Sequence, residues 1–545
     1  MRARRSLLPR RRDTRSLLAA AVLAAVLAAC GSDGGGAGSS AEGGTSGAAA
    51  GSAAGTAAAG AGAVTASPSA EAVAAAIGAT TAEPVTVADE LPVTLYVSPE
   101  GDDGADGSSP GQALRTVTEA WNRIPQGTDL VEGVRIELAP GSYDAADLPN
   151  YWESRHGTAD APIVLAGAAA DRGAVVLRGG LNVFDTTHLA VIDLTVRPEP
   201  AGDAFHCERC DHLVLRNVVL DGGSRDEGAQ ETLKVNQSTN VFVEGSDIGG
   251  ATDNAIDFVA VQGGHLLSNV VHDAQDWCAY AKGGSAYLWV EGNTFTRCGT
   301  GGFTAGQGTG FEFMTEPWTT YEAMGVVVYR NVVLDTEGAG IGVNGGYNVL
   351  VAHNTLHRVG TRSHAIEVVA GARSCDGDRA GCQVRLDAGG WGATDEGGQW
   401  IPNRHVWILN NLVVNPAGAT SPYGQVAVTG AVQAPAASNV PAGMSADDEL
   451  HIAGNVFDNG AALPWIDGPG CQRGTCTVDN VEASNMVAAV RLADPDRGDV
   501  RAEGVSGWLA APMPTFDWSD APLGAPAWAM TPPPAVEAPG AAALT

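Results

Sequence analysis

From about Leu189 onward, runs of β-branched and aliphatic residues end on a polar pair closed by asparagine, then resume before a Gly/Asp turn. The phrase reads Leu213-Val-Leu-Arg-Asn217-Val-Val-Leu, Leu266-Leu-Ser-Asn269-Val-Val and Leu288-Trp-Val-Glu-Gly-Asn293-Thr-Phe. It returns as Val328-Tyr-Arg-Asn331-Val-Val-Leu, Val351-Ala-His-Asn354-Thr-Leu, Ile408-Leu-Asn-Asn411-Leu-Val and Ile452-Ala-Gly-Asn455-Val-Phe. Asn269 and Asn293 are 24 residues apart, Asn331 and Asn354 are 23 apart. A period of that size with short strands predicts a solenoid, because one coil alone cannot bury its apolar side chains. The gap of 57 from Asn354 to Asn411 predicts a loop inserted between coils. The asparagines are expected to pair up and down the stack as a ladder of amide hydrogen bonds, a structural role. A leucine-rich horseshoe is the competing solenoid, but its LxxLxLxxN phrase and helices are missing. The fold class read here is all-β, a right-handed parallel β-helix.

A second strand lies between the asparagine turns. It reads Ala204-Phe-His-Cys-Glu208, Thr232-Leu-Lys-Val-Asn236, Ala255-Ile-Asp-Phe-Val259 and Cys278-Ala-Tyr-Ala-Lys282, with later members through Ala365-Ile-Glu-Val-Val369. Alternation sends Phe205, Leu233, Ile256, Ile341 and Ile366 inward. The outward column becomes His206, Lys234, Asp257, Tyr280, Thr304, Gly342 and Glu367, with Lys282 facing the same way. The register of the Tyr280 strand is open by one residue, and a slip would bury Lys282.

The body opens with Leu95-Tyr-Val-Ser-Pro-Glu-Gly101, Ala113-Leu-Arg-Thr-Val-Thr-Glu-Ala-Trp121 and Val134-Arg-Ile-Glu-Leu-Ala-Pro-Gly-Ser-Tyr143. This resembles the start of pectate-lyase-like β-helix proteins, and the resemblance covers roughly residues 93 to 480. It implies a strand and an amphipathic helix capping the first coil and hiding its edge. The scaffold hosts many chemistries, so it is specific for fold and weak for activity.

The first 29 residues carry seven Arg, and Leu17 to Ala29 is an apolar run too short to span a bilayer, the shape of a signal peptide. Leu27-Ala28-Ala29-Cys30 resembles a bacterial lipobox, which implies lipidation at Cys30 and an exported, envelope-anchored chain. Residues 30–88 are Gly, Ala, Ser and Thr with few large apolar residues, a flexible linker. The β-helix is placed at 89–503, and 504–545 is a packing extension followed by a loose Pro/Ala-rich tail. The net charge of −31 argues against a nucleic-acid partner. Eight further cysteines fall into local pairs, Cys207/Cys210, Cys278/Cys298, Cys375/Cys382 and Cys471/Cys476, as expected of disulfides in an exported chain, with other pairings open. A monomer is expected.

Lys234 and Lys282 are the only lysines among 31 basic residues, and both fall on the outward column. A lysine can lose its proton near neutral pH where burial or a neighbouring cation lowers its pKa; an arginine does not. Asp253-Asn-Ala-Ile-Asp257 is similar to the Asp-Asp-Gly-x-Asp calcium motif of family 9 polysaccharide lyases, with Asn254 in place of an Asp. Lys282-Gly-Gly284 resembles the Lys-x-Gly-Gly stretch holding that family's catalytic lysine. The resemblance implies Ca²⁺ on Asp253, Asn254 and Asp257, and β-elimination on a uronic-acid polymer with Lys282 as base. Lys234, Tyr280 and His206 are further catalytic candidates. Glu367, Asn344, Gln307 and Trp318 are candidates for holding the polysaccharide. Two rivals share the scaffold. A glycoside hydrolase would use paired carboxylates, Asp257 with Asp276 or Glu312 with Glu316. A non-catalytic glycan-binding surface protein would use Trp277, Trp289, Trp318, Trp391, Trp400 and Trp407, though tryptophans more often fill cores.

Overall fold

The computed structural model describes residues 82–541 except 170, 315–320, 375–379, 381, 385–398, 431–444, 461–462, 504, 520, 522–529, 535 and 537; the side chains of 312, 374 and 399 also lie outside the description. All of these residues fall in the compact unit Ser69–Thr545; the other unit is Met1–Pro68.

Three long sheets of 12, 11 and 12 strands run the length of the body, and every strand pair in them is parallel. Each coil gives one strand to each sheet, as Phe205–Glu208, Asp211–Arg216 and Val219–Asp221 do. Strands follow chain order across each sheet, which is the architecture of a right-handed parallel β-helix. Alternate residues point inward, so Phe205, Leu233, Ile256 and Ile366 are fully buried in one continuous core.

Between the first and third sheets each coil turns on a residue of positive φ, such as Ser268 (55°), Arg330 (54°) and His353 (54°). The next residue forms the ladder. The side-chain nitrogen of Asn269 donates to Asn293 at 2.9 Å, Asn293 to Asn331 at 2.9 Å, Asn331 to Asn354 at 3.0 Å and Asn354 to Asn411 at 2.9 Å. Asn411 continues to Asn455 at 2.9 Å and Asn455 to Asn485 at 2.8 Å. Asn217 is a correction: it sits at the positive-φ corner (51°) and donates to Asp193, while Val218 takes the ladder place. A one-residue offset in the phrase hides this.

The helix Val117–Asn122 plugs the first coil, with Thr116 accepting from the Glu119 N–H and Trp121 packed edge-on against Trp152 at 4.8 Å. Three expected disulfides form: Cys207–Cys210, Cys278–Cys298 and Cys471–Cys476. The fourth expected pair, Cys375/Cys382, is not among these described bonds, because Cys375 lies outside the described residues. Cys382 itself is fully buried in the cluster that holds Phe311, Tyr321 and Ile401, and it is disulfide-bonded. Cys30, Trp318, Glu316, Trp391 and the Glu312 side chain also lie outside the description.

Two boundaries differ from expectation. Val85 and Val87, assigned to the linker, pack on Val164, Ala190, Val214 and Phe242, and the Val85 N–H donates to Glu244 at 2.9 Å. Beyond 504, Ala511, Phe516 and Met530 pack against Tyr287, Tyr347 and Trp407. The Ala541 N–H reaches Thr355 Oγ1 at 2.8 Å, so the described end of the chain is docked rather than loose. Aromatic residues at wide spacing escape a periodicity search, and their partners are aromatic side chains on the outer face of the first sheet.

Candidate active site

The parallel register of the second sheet stacks Asn182, His206, Lys234, Asp257, Tyr280, Thr304, Gly342 and Glu367 in one outward column. Ala427 and Asp467 continue it. Lys282 pairs with Val259 and faces the same way as Tyr280, so the open register resolves as the alternation required.

The centre of this face is covered. Gly308–Gly310 pairs with Gly371–Ser374, which pairs with Gln399–Ile401, forming a small sheet. A buried ion pair between Glu322 and Arg373 ties its flanks, and Glu322 Oε2 also accepts from the Gly283 N–H at 2.9 Å and Thr309 Oγ1 at 2.7 Å. Behind it Lys282 is only 6% exposed. Its Nζ donates to Gln307 Oε1 at 3.1 Å and lies 4.3 Å from the centre of the Tyr280 ring. The Trp277 ring reaches the same floor: a Cβ at Gly342 would stand 3.0 Å from it and 2.8 Å from Thr304 Oγ1. Trp277, Trp289 and Trp407 are buried, which is the packing role.

Two groups of charge flank the covered stretch, about 19 Å apart along the column at four strand spacings. On one side Lys234 Nζ lies 3.2 Å from Glu231 Oε2 and 3.5 Å from Asp257 Oδ2. Both carboxylates are buried, while a quarter of the lysine side chain is exposed. Burial, then Asp257, push the Glu231 carboxyl up to about 7, and Lys234 opposes this only in part. Burial works against the Lys234 charge, but Asp257 and Glu231 together outweigh it and its pKa rises. Lys234 is therefore a fixed ammonium, not the free base considered from sequence. One strand away, burial and then the Lys234 charge lower the His206 pKa, and its Nε2 is buried with no hydrogen-bond partner.

On the other side, Glu367 accepts from Asn344 Nδ2 at 3.4 Å, and burial raises its pKa against the pull of His364. His364 Nε2 pairs with Asp467 Oδ2 at 2.6 Å over the small Ala427. Asp276 acts electrostatically on Glu367. The sugar-holding candidates Glu367 and Asn344 are thus together, while Gln307 is joined to Lys282.

The residues assigned to calcium have other partners. Asn254 Oδ1 accepts from the Trp277 N–H at 3.1 Å, and its Nδ2 donates to Asp253 at 2.8 Å. Asp257 already faces the Lys234 ammonium. A calcium ion takes six to eight oxygens. These three offer part of such a shell, Asp257 Oδ1 is buried with no hydrogen-bond partner, and the positive charge already beside Asp257 is the lysine's own. Glu231 escaped the sequence reading because it precedes the strand; an acid three residues before Lys234 and one coil before Asp257 was the available signal.

No family model and no curated protein matches the chain. Among solved structures it is similar to a rhamnogalacturonan lyase, at 11% identity over 68% of this chain and 89% of that one, TM-score 0.42. The pectate lyase Pel9A matches at 13% identity over 69% and 82%, TM-score 0.35. A PL6 family polysaccharide lyase from Pseudopedobacter saltans matches at 10% over 73% and 91%, TM-score 0.35. At these identities and scores no chemistry is carried over to this chain.

Proposed function

We propose that the chain is an exported, lipid-anchored polysaccharide lyase whose reaction centre is His206, Lys234, Glu231 and Asp257. One observation carries the reading: a lysine kept protonated by two buried carboxylates stands one strand spacing from a neutral histidine with an unpartnered nitrogen. That pairing supplies the two things β-elimination needs, a base and a fixed positive charge. The ammonium binds the C6 carboxylate of a uronic acid and stabilises the negative charge that builds as the C5 proton leaves. His206 Nε2, buried in the structure, takes that proton once its ring turns toward the bound sugar. The C4–O bond then breaks, a C4–C5 double bond forms, and the departing oxygen is protonated by solvent. Lys234 thereby supplies the charge that calcium was expected to supply, so turnover is expected to withstand chelation. Lys282, behind Gln307, acts on Tyr280 and the covered floor, and reaches substrate only if that amide moves.

A second reading is glycoside hydrolysis. It is favoured by one fact: Glu231 keeps its proton to about pH 7 beside Asp257, and carboxylates pushed apart in pKa divide naturally into acid and charged partner.

The test incubates the full chain with pectate, alginate and glycosaminoglycans. A rise in ultraviolet absorbance from unsaturated uronides supports the lyase. New reducing ends without that absorbance favour the hydrolase, and binding without either product removes both. The anchor rests on the lipobox resemblance; Cys30→Ser is expected to release the chain from the membrane fraction.

A further inference from the structure

A different corner of the solenoid carries its own chemistry. Before each strand of the first sheet the chain turns through a residue of positive φ: His188 (49°), His212 (55°) and Asn240 (55°) in successive coils. The parallel register places Leu189 beside Leu213 and Leu213 beside Val241, so these corners stack. The His188 and His212 rings lie parallel, 4.2 Å between centroids and 6° between planes. Asp211 Oδ2 accepts from His212 Nδ1 at 2.8 Å, while its Oδ1 accepts from Thr239 Oγ1 at 2.5 Å and Asn240 Nδ2 at 2.8 Å. One nitrogen of each imidazole and one Asp211 oxygen lie within 4.8 Å of one another. No other group of three His, Cys, Asp or Glu residues among the described ones does so.

A second observation points to a ligand. His188 Nδ1 is buried and has no hydrogen-bond partner. A buried ring nitrogen left unpartnered is costly, and a metal bond at that nitrogen removes the cost.

We propose that His188, His212 and Asp211 bind a divalent first-row transition-metal ion of the zinc type. Two imidazoles and one carboxylate suit zinc, nickel or copper rather than calcium. Thr239 and Asn240 hold the carboxylate, the role that outer partners play around metal ligands. The ion replaces the proton between His212 and Asp211, which leaves to solvent, so uptake strengthens as pH rises. Parallel rings aim their lone pairs side by side, and coordination tilts one of them about χ2. A fourth position remains for water. The ion would clamp two consecutive coils at one corner.

The full chain, stripped with a chelator and dialysed, is titrated with Zn²⁺ and separately with Co²⁺. The expected result is one equivalent of tightly held zinc, proton release on binding, and a visible cobalt spectrum. Asparagine already occupies the equivalent corner at Asn240, so His188→Asn and His212→Asn preserve the turn, and unchanged circular dichroism confirms folding. Each is expected to lose the cobalt spectrum and at least ten-fold in zinc affinity. No saturable uptake by the full chain, or uptake unaffected in both variants, overturns the proposal and leaves a stacked imidazole pair with a packing role.

Discussion

Lys234 Nζ lies 3.5 Å from Asp257 Oδ2, on the neighbouring strand of one parallel sheet. That contact decides how the outward column works, because it fixes a positive charge where the sequence pattern suggested a metal. Removing the lysine strands two buried carboxylates near each other. Lys234→Met is therefore expected to lose about 3 kcal/mol of stability, in the range for breaking a buried ion pair. Adding Asp257→Asn to the same chain should recover part of it. Chemical denaturation of the single and double variants measures both.

Glu231 gives stability a pH dependence of definite sign. Its carboxyl has an ordinary value of 4.5 and is raised to about 7 in the folded chain by burial and Asp257. Between those values the folded state holds the extra proton, so the contribution is complete below pH 4.5 and is lost as pH rises through 7. Glu231→Gln removes this slope. Unfolding curves from pH 4 to 8 are expected to show the variant gaining on the parent as pH increases.

The asparagine ladder should respond by position. Asn354 Oδ1 accepts both the Asn331 N–H at 2.9 Å and its side-chain amide at 3.0 Å. Asn354→Ala leaves those buried donors empty, at about 1–3 kcal/mol each. Asn485 ends the ladder and is only part-buried, so Asn485→Ala is expected to cost less. Thermal unfolding of the two variants makes the comparison.

Arg373 is fully buried against Glu322, which in turn holds the Gly283 N–H and Thr309 beside Lys282. Burial lowers the Arg373 pKa to about 9. Arg373→Met leaves Glu322 buried and unpaired, an expected loss of about 3–5 kcal/mol. The double change Arg373→Met with Glu322→Gln is expected to restore most of it, as read by urea denaturation.

The column from His206 to Glu367 was legible in the sequence because two rules coincide. Side chains alternate along a strand, and parallel in-register stacking brings like positions together, so each outward residue meets its counterpart one coil on. The same rules fail at corners. Asn217 and Asn269 share a phrase but differ by one residue in the turn, and only the positive φ at 217 separates them. Charge pairing was also out of reach: a lysine at a fixed register position reads as a base until Glu231, outside the strand pattern, is seen beside it. Likewise nothing in the spacing around Asn254 reveals that its carbonyl is taken by the Trp277 N–H. The docking of Val85 and of Phe516 depends on single large side chains in low-complexity sequence, where periodicity carries no signal.

The most direct test of the central claim, that His206 and Lys234 carry out elimination without a metal, is the initial rate of unsaturated-uronide formation in excess chelator. Parent, His206→Gln and Lys234→Met chains are compared on whichever polymer is cleaved. Undiminished turnover by the parent and a loss of a hundred-fold or more in each variant are expected, general-base removal alone being worth about 10²–10⁴. Parent activity abolished by the chelator and restored by calcium, or full activity in His206→Gln, would contradict it.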